Sequence, residues 1–305
     1  MNGYPPPGRL VDIGGRRLHL QERGTGSPTV VLEAGIGATS LNWQALQREI
    51  SLFTRVVSYD RAGLGWSDLP TAPLTMSRLV EDLRTLLRAA QLPPPYILVG
   101  HSFGALIVRA YAGRCASEVA GILLLDPLRP EEWRPLSWNQ RATLAYGLRL
   151  ARRGAILARI GLVGWCLQSV LAGSRWLPKV IAGAASGSGL KVMKRLAGEV
   201  GKMPAEVWPM VAAHWSNPKC FLGLAAYLET FPGNVAEMYC APPLDGIPVI
   251  ALTSGRNAGP APQGVSANMR HSVAHNSGHW IHLDEPNLVM DGVRDLVTNA
   301  RLTRK

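Results

Sequence analysis

The sequence predicts an α/β fold in which a mostly parallel sheet is flanked by helices on both faces. Short apolar runs with little polar alternation recur along the chain, and stretches with helical periodicity separate them. Strands of that composition are buried on both faces, as in parallel sheets whose connections are helices. With 305 residues, 47% of them hydrophobic, the chain can bury one large core and still carry an inserted subdomain.

The elements follow in order along the chain. Segments Leu10–Ile13 and Arg17–Glu22 flank the pair Gly14-Gly15, which predicts a hairpin. Beyond it, strands and helices alternate. Strands are predicted at Thr29–Glu33, Arg55–Tyr59, Tyr96–Val99, Ala120–Leu125 and Ile247–Thr253, and helices at Ser40–Ile50, Met76–Leu92, Phe103–Cys115 and Asn287–Asn299.

The alternation stops after Ala120–Leu125 and resumes only at Ile247, which predicts an insertion. We place the insertion at residues 129–237, between two parts of one core at 1–128 and 238–305. From Arg129 to Lys202 there are thirteen basic residues and three acidic ones, which is +10 of the chain's +11. Six of the nine tryptophans also lie in the insertion. The basic character therefore belongs to this segment and not to the whole protein.

A pentapeptide, Gly100-His101-Ser102-Phe103-Gly104, lies where a predicted strand meets a predicted helix. A serine on such a turn has a strained backbone and close neighbours, so the flanking positions must lack side chains. Gly100 and Gly104 meet that requirement. Ser102 is therefore the candidate nucleophile.

Four motifs in order resemble the α/β-hydrolase fold family, and specifically its serine members with a helical cap after the sixth strand, which are similar to esterases and lipases. They are Leu32–Gly37, Ser58–Ser67, Gly100–Gly104 and Ser277–Pro286. The resemblance covers both ends of the chain and says little about the insertion. It implies that Gly35 and Gly37 lie in an oxyanion-hole turn, that the backbone amides of Ile36 and Phe103 form the hole, and that Asp60 and Arg61 have a structural role.

The base and the acid follow from chemistry and from the resemblance together. A serine hydroxyl needs a base within hydrogen-bond reach, and an imidazole has a suitable pKa. Of the seven histidines, only His279 has the preceding Ser-Gly of the family's catalytic-histidine loop. The family's usual acid follows the seventh strand, but Thr253–Gly259 contains no carboxylate. We therefore predict Asp126, after the sixth strand, as in family members with the acid there. The alternatives are Glu131, Glu132 and Asp245.

A serine nucleophile favours acyl transfer to water, because relatives that open epoxides or displace halide attack with a carboxylate. The prediction is a hydrolase without cofactor or metal that cleaves an apolar carboxylic ester through an acyl-enzyme. Hydrolysis of a lactone, a thioester or a carbon–carbon bond stays open, as do acyltransferase and peroxidase-like activities on the same residues. A hydrolase fold that only binds a ligand or a membrane surface is the non-enzymatic alternative.

The insertion bears on partners. On a helical wheel five arginines fall within an arc of about 120°, and Tyr146, Leu150 and Leu157 lie opposite. The arginines are Arg141, Arg149, Arg152, Arg153 and Arg159. Two interpretations stay open: a cap with solvated arginines, or a cap that contacts an anionic membrane. Nucleic acid is not expected, since no nucleic-acid-binding fold is recognisable.

The start of the chain bears on location. Residues Met1–Arg9 are rich in proline and glycine, and no apolar stretch follows them. We therefore expect no secretory signal peptide and a cytoplasmic protein, with peripheral membrane contact left open.

Overall fold

A computed structural model describes residues 4–172, 200–257 and 261–303. Within them, one eight-stranded sheet has the order β1-β2-β4-β3-β5-β6-β7-β8. The bounds are β1 Arg9–Asp12, β2 Arg17–Arg23, β3 Thr29–Glu33, β4 Val56–Tyr59, β5 Tyr96–His101, β6 Val119–Leu125, β7 Val249–Ser254 and β8 Arg270–Ala274. Strands β4, β3, β5, β6, β7 and β8 are parallel in that spatial order, and β1 and β2 are antiparallel to their neighbours. The predicted α/β class with a mostly parallel sheet is confirmed.

Helices cover both faces of the sheet and give the protein two apolar layers. They are α1 Gln44–Ile50, α2 Met76–Ala89, α3 Phe103–Arg114, α4 Trp138–Arg159, α5 Leu162–Leu171, α6 Trp208–Trp215, α7 Pro218–Tyr239, α8 Ile281–Asp284 and α9 Pro286–Leu302. Along β5, Leu98 packs with α2 and α3 on one face, whereas Ile97 and Val99 pack with α1 and α9 on the other. This alternation explains why β5 is apolar at successive positions.

The chain between β6 and β7 folds, within the described residues, into helices α4 to α7. Residue 237, the predicted end of the insertion, falls inside α7. Several residues counted in the predicted charge and tryptophan content of the insertion lie outside the described part, namely Arg175, Trp176, Lys179, Lys191, Lys194, Arg195 and Glu199.

Helix α7 fastens this segment to the core. A Cβ atom on Gly223 would lie 2.4 Å from the carbonyl oxygen of Gly63, so the helix backbone touches the core loop directly. The Asn234 side-chain amide donates a hydrogen bond to the Leu74 carbonyl at 2.9 Å, and the Tyr227 hydroxyl donates one to the Ala62 carbonyl at 3.3 Å. The segment is therefore held against the loops at one edge of the sheet.

Helix α4 packs against α7 through small residues. Ala151, Gly154, Ala155 and Ala158 are buried, and a Cβ atom on Gly154 would lie 2.4 Å from the ring of Phe221. Leu150 and Leu157, which the helical wheel places opposite the arginines, are substantially exposed. The buried stripe of α4 therefore consists of alanine and glycine, because the close approach of α7 leaves room only for small residues. None of the described helices combines the length and apolar composition needed to cross a membrane.

Candidate active site

Ser102 occupies the turn between β5 and α3. Its φ is +54° and its ψ is −117°, a region that side-chain-bearing residues rarely adopt. A Cβ atom on Gly100 would lie 2.6 Å from Val108 Cγ2, and one on Gly104 would lie 2.5 Å from the Ala34 carbonyl oxygen. The predicted strand, turn and helix are all present, with glycine where no side chain fits.

His279 and Asp126 are joined by a hydrogen bond. The loop after β8 carries His279, and Asp126 directly follows β6 with a φ of +40°. The distance from His279 Nδ1 to Asp126 Oδ2 is 2.6 Å, and the Ser254 amide donates a hydrogen bond to Asp126 Oδ1 at 3.0 Å. The carboxylate therefore engages Nδ1 and leaves Nε2 as the ring nitrogen open to a substrate or nucleophile.

The electrostatics of Asp126 suit a charged partner for the imidazole. Burial acts to raise the pKa of the Asp126 carboxyl, but hydrogen bonds from His279 and Ser254 outweigh burial and hold that pKa below its usual value. Asp126 is thus ionised at neutral pH. The alternatives Glu131, Glu132 and Asp245 are exposed, and no carboxylate of the described residues other than Asp126 is hydrogen-bonded to His279.

His101 connects the serine turn with the histidine loop. Its Nε2 donates a hydrogen bond to the His279 carbonyl at 2.8 Å, and the two imidazole rings are 4.6 Å apart. A Cβ atom on Gly35 would lie 3.0 Å from His101 Nδ1 and 3.5 Å from Ser102 Cβ. Ser102, Gly35 and His279 therefore surround one buried ring. Among the described residues, Ser102 and His279 are not joined by a hydrogen bond. Of the two links in the predicted triad, the structure contains only the one between His279 and Asp126.

The turn after β3 is held by Arg61. Its guanidinium donates to the Ala34 carbonyl and, at 2.6 Å, to the Gly35 carbonyl, and it forms a buried ion pair with Glu33. Ile36 and Gly37, with a φ of +72° at Gly37, follow on this turn. Phe103 is the first residue of α3, where a helix leaves amides unpaired. The two amides of the predicted oxyanion hole thus belong to a pinned turn and to a helix start.

Sequence reasoning missed two groups around this site. Glu33 and Tyr59, whose hydroxyl donates to the Glu33 carboxylate, complete the cluster that holds Arg61. A glutamate directly after the apolar run Val30–Leu32 was the available signal, since a buried carboxylate requires partners. The second group is apolar and comes from the insertion. Trp215 and Leu224 lie within 4.0 Å of the position that a Cβ on Gly37 would take, and Phe231 stacks 6.0 Å from Phe103.

No group of three or more His, Cys, Asp or Glu side chains in the described ranges is arranged to hold a metal ion.

The model of the alpha/beta hydrolase fold family matches residues 28–169, which include β3 to β6 and the Ser102 turn. Solved hydrolase structures extend the similarity in fold to more than nine tenths of the chain.

The chain has the α/β-hydrolase fold.

Known proteins share this hydrolase fold over different lengths of the chain. An uncharacterised protein of Bacillus subtilis is 40% identical over 120 residues, which are 39% of this chain and 47% of that protein. The chain therefore matches less than half of that relative's length. Among solved structures, the epoxide hydrolase CorEH has a TM-score of 0.69 at 18% identity and covers 94% of this chain and 97% of its own. The enol-lactonase from Burkholderia xenovorans has a TM-score of 0.63 at 21% identity, with 95% of this chain and 100% of its own covered.

A buried histidine beside the site makes stability depend on pH. Burial and the nearby His279 lower the pKa of His282 from 6.5 to about 3, and neither ring nitrogen has a hydrogen-bond partner among the described residues. In the unfolded chain His282 binds a proton below about pH 6.5, whereas in the folded chain it stays neutral down to about pH 3. The free energy of unfolding therefore falls as the pH drops from 6.5 towards 3. At pH 5 this histidine costs about 2 kcal/mol relative to pH 8.

Urea titrations at pH 8 and pH 5 measure this effect. We expect His282→Phe to lose about 2 kcal/mol less than the wild type between the two pH values. His275→Gln, which changes an exposed histidine, should behave as the wild type. Equal pH dependence of His282→Phe and the wild type would contradict the assignment.

Proposed function

We propose that this protein is a serine hydrolase that cleaves an apolar carboxylic ester through an acyl-enzyme. Ser102 would be the nucleophile, His279 the general base and Asp126 the acid that orients it. The hydrogen bond between His279 Nδ1 and Asp126, next to a serine on a strained turn, is the observation that carries the proposal.

The first half of the reaction forms the acyl-enzyme. His279 Nε2 accepts the hydroxyl proton of Ser102 while the serine oxygen attacks the ester carbonyl carbon. The carbonyl oxygen becomes an oxyanion, which the amides of Ile36 and Phe103 would stabilise. The bond to the alcohol then breaks, and the leaving oxygen takes the proton from the imidazolium.

The second half releases the acid by the same chemistry. His279 accepts a proton from water, the hydroxide oxygen attacks the acyl carbon, and Ser102 Oγ leaves with the proton returned by the imidazolium. Asp126 stays ionised and stabilises each imidazolium, in keeping with the lowered pKa of its carboxyl.

The preference for an apolar substrate rests on the insertion. Trp215 and Leu224 face the turn that carries Ile36 and Gly37, and Phe231 and Trp133 form an aromatic pair 4.8 Å apart next to Phe103. Side chains of this kind bind hydrocarbon groups and exclude water. A carboxylic ester with an apolar acyl or alcohol group fits this environment.

Labelling with a fluorophosphonate, followed by mass spectrometry, tests the nucleophile before any substrate is known. We expect an adduct on Ser102 in the wild type and none in Ser102→Ala, because the probe reacts only with an activated serine. Ser117→Ala, a change at an exposed serine, should label as the wild type. A folded wild type that takes up no label, or that is labelled equally in Ser102→Ala, would contradict the proposal.

A further inference from the structure

The α4–α5 corner, which we define as residues 156–165, exposes large apolar side chains in close succession. Ile156 is 64% exposed, Ile160 70% and Trp165 53%, and Leu157 and Leu162 are also exposed. Exposed apolar residues elsewhere on the described core, such as Leu52 and Leu302, occur singly. Single exposed side chains need no explanation, whereas a cluster marks an interaction surface.

Arginines line the approach to this corner on the same face of α4. At 100° per residue, Arg149, Arg153, Ile156 and Ile160 fall within about 40° of one line along the helix. The opposite face is the one buried against α7. The exposed face therefore changes from basic to apolar along its length, over about 16 Å from Arg149 to Ile160.

Most of the arginines on this face have no acidic partner among the described residues. Arg152 forms an ion pair with Glu229 at 2.7 Å. Around Arg149, Arg153 and Arg159, by contrast, no carboxylate of the described residues lies within ion-pair distance. A partner that supplies negative charge next to an apolar phase would satisfy both parts of the face.

We propose that the exposed face of α4 and the α4–α5 corner dock on an anionic lipid membrane. The isoleucines and Trp165 would enter the boundary between headgroups and acyl chains, where tryptophan is favoured. The arginines would stay at the level of the lipid phosphates, with their aliphatic stems along the apolar surface. This docking is peripheral and does not depend on the proposed hydrolase activity.

The geometry also relates the docking surface to the candidate site. Helix α4 packs on α7 through Gly154 and Phe221, and α7 places Phe231 against Phe103 next to Ser102. One packed pair of helices thus connects the docking surface with the apolar surroundings of the serine.

Co-sedimentation of the full chain with vesicles tests the proposal. The two vesicle types are phosphatidylcholine alone and a 70:30 mixture of phosphatidylcholine and phosphatidylglycerol, each at low and at high NaCl. We expect binding to the anionic vesicles at low salt and at least tenfold weaker binding at high salt or without the anionic lipid, because salt screens the arginines. Sedimentation that matches a lipid-free control would overturn the proposal and leave a protein partner as the remaining occupant.

Two variants of this face, each with a matched control, distinguish specific docking from non-specific hydrophobic or electrostatic binding to the vesicles. The double change Ile156→Ser with Ile160→Ser and the triple change of Arg149, Arg153 and Arg159 to Gln should each weaken binding at least fivefold. The matched controls, Leu52→Ser and the triple change of Arg23, Arg48 and Arg294 to Gln, alter exposed residues of the core and should bind as the wild type. Circular dichroism confirms the folding of each variant. Unchanged binding of a folded face variant, or an equal loss in its control, would overturn the assignment.

Discussion

Replacing Asp126 by Asn is expected to lower kcat for ester hydrolysis by about 10⁴-fold. The carboxylate accepts the Nδ1 proton of His279 at 2.6 Å and thereby fixes the tautomer whose Nε2 can accept a proton from Ser102. An asparagine can donate its amide to Nδ1 instead, which selects the wrong tautomer and removes the charge that stabilises the imidazolium. Steady-state hydrolysis of a p-nitrophenyl ester measures the change.

The backbone gives this experiment a clean interpretation. Asp126 has a φ of +40°, a conformation that asparagine tolerates well, so the variant should fold. The matched controls are Asp245→Asn and Glu131→Gln, which change two of the three other carboxylates considered from the sequence and should leave kcat within about twofold of the wild type. An Asp126→Asn enzyme with more than a tenth of wild-type kcat would contradict the assigned role.

The position of the proposed acid illustrates what a sequence can reveal. Thr253–Gly259 lacks a carboxylate, which directed attention to Asp126 after β6. The structure shows why an acid after β6 can take the place of one after β7. Strands β6 and β7 are parallel neighbours, with Leu125 paired to Leu252, so their carboxyl ends lie side by side. The Asp126 amide even donates to the Leu252 carbonyl at 2.7 Å. A residue after either strand can therefore reach the same histidine loop.

Other parts of the fold could not be predicted from the pattern of apolar and polar residues. The strand β8, Arg270–Ala274, was not predicted, because it lies at the edge of the sheet and begins with the polar residues Arg270, His271 and Ser272. The Ser40–Ile50 segment, predicted as one helix, begins as a 3₁₀ turn and becomes α-helical at Gln44. Burial by tertiary neighbours decides both cases, and local periodicity does not contain that information.

The buried residues of the insertion were also difficult to predict from the sequence, because tertiary packing decides which face of each helix is covered. Its helices bury Ala151, Gly154 and other small residues, because the partner helix α7 approaches closely. A hydrophobicity scale ranks leucine above alanine and so assigns the buried face to the leucines. The aromatic residues near Ser102, such as Trp215 and Phe231, likewise become neighbours only through the packing of α6 and α7 on the core.

Replacing Arg61 by Met is expected to lower the free energy of unfolding by about 3–5 kcal/mol. Arg61 and Glu33 are both almost fully buried, and the substitution leaves the Glu33 carboxylate without its cationic partner. The double variant, with Glu33→Gln as well, removes the stranded charge and should recover part of the loss. Urea denaturation at pH 7 measures the free energy of unfolding of the wild type, of Arg61→Met and of the double variant.

The control for Arg61→Met is Arg17→Met, which breaks the exposed ion pair with Asp68 at 3.2 Å and should cost less than about 1 kcal/mol. A similar small cost for Arg61→Met would show that the buried pair is not coupled to folding.

The Arg61→Met variant also tests the site, because Arg61 holds the carbonyls of Ala34 and Gly35 and so fixes the turn that carries Ile36. If this turn supplies an oxyanion-hole amide, the folded Arg61→Met protein should lose kcat with little change in KM, since the lost contact acts on the transition state. Stability and catalysis then depend on one buried guanidinium. The double variant distinguishes them, because Glu33→Gln recovers part of the stability without restoring the hydrogen bonds to the turn.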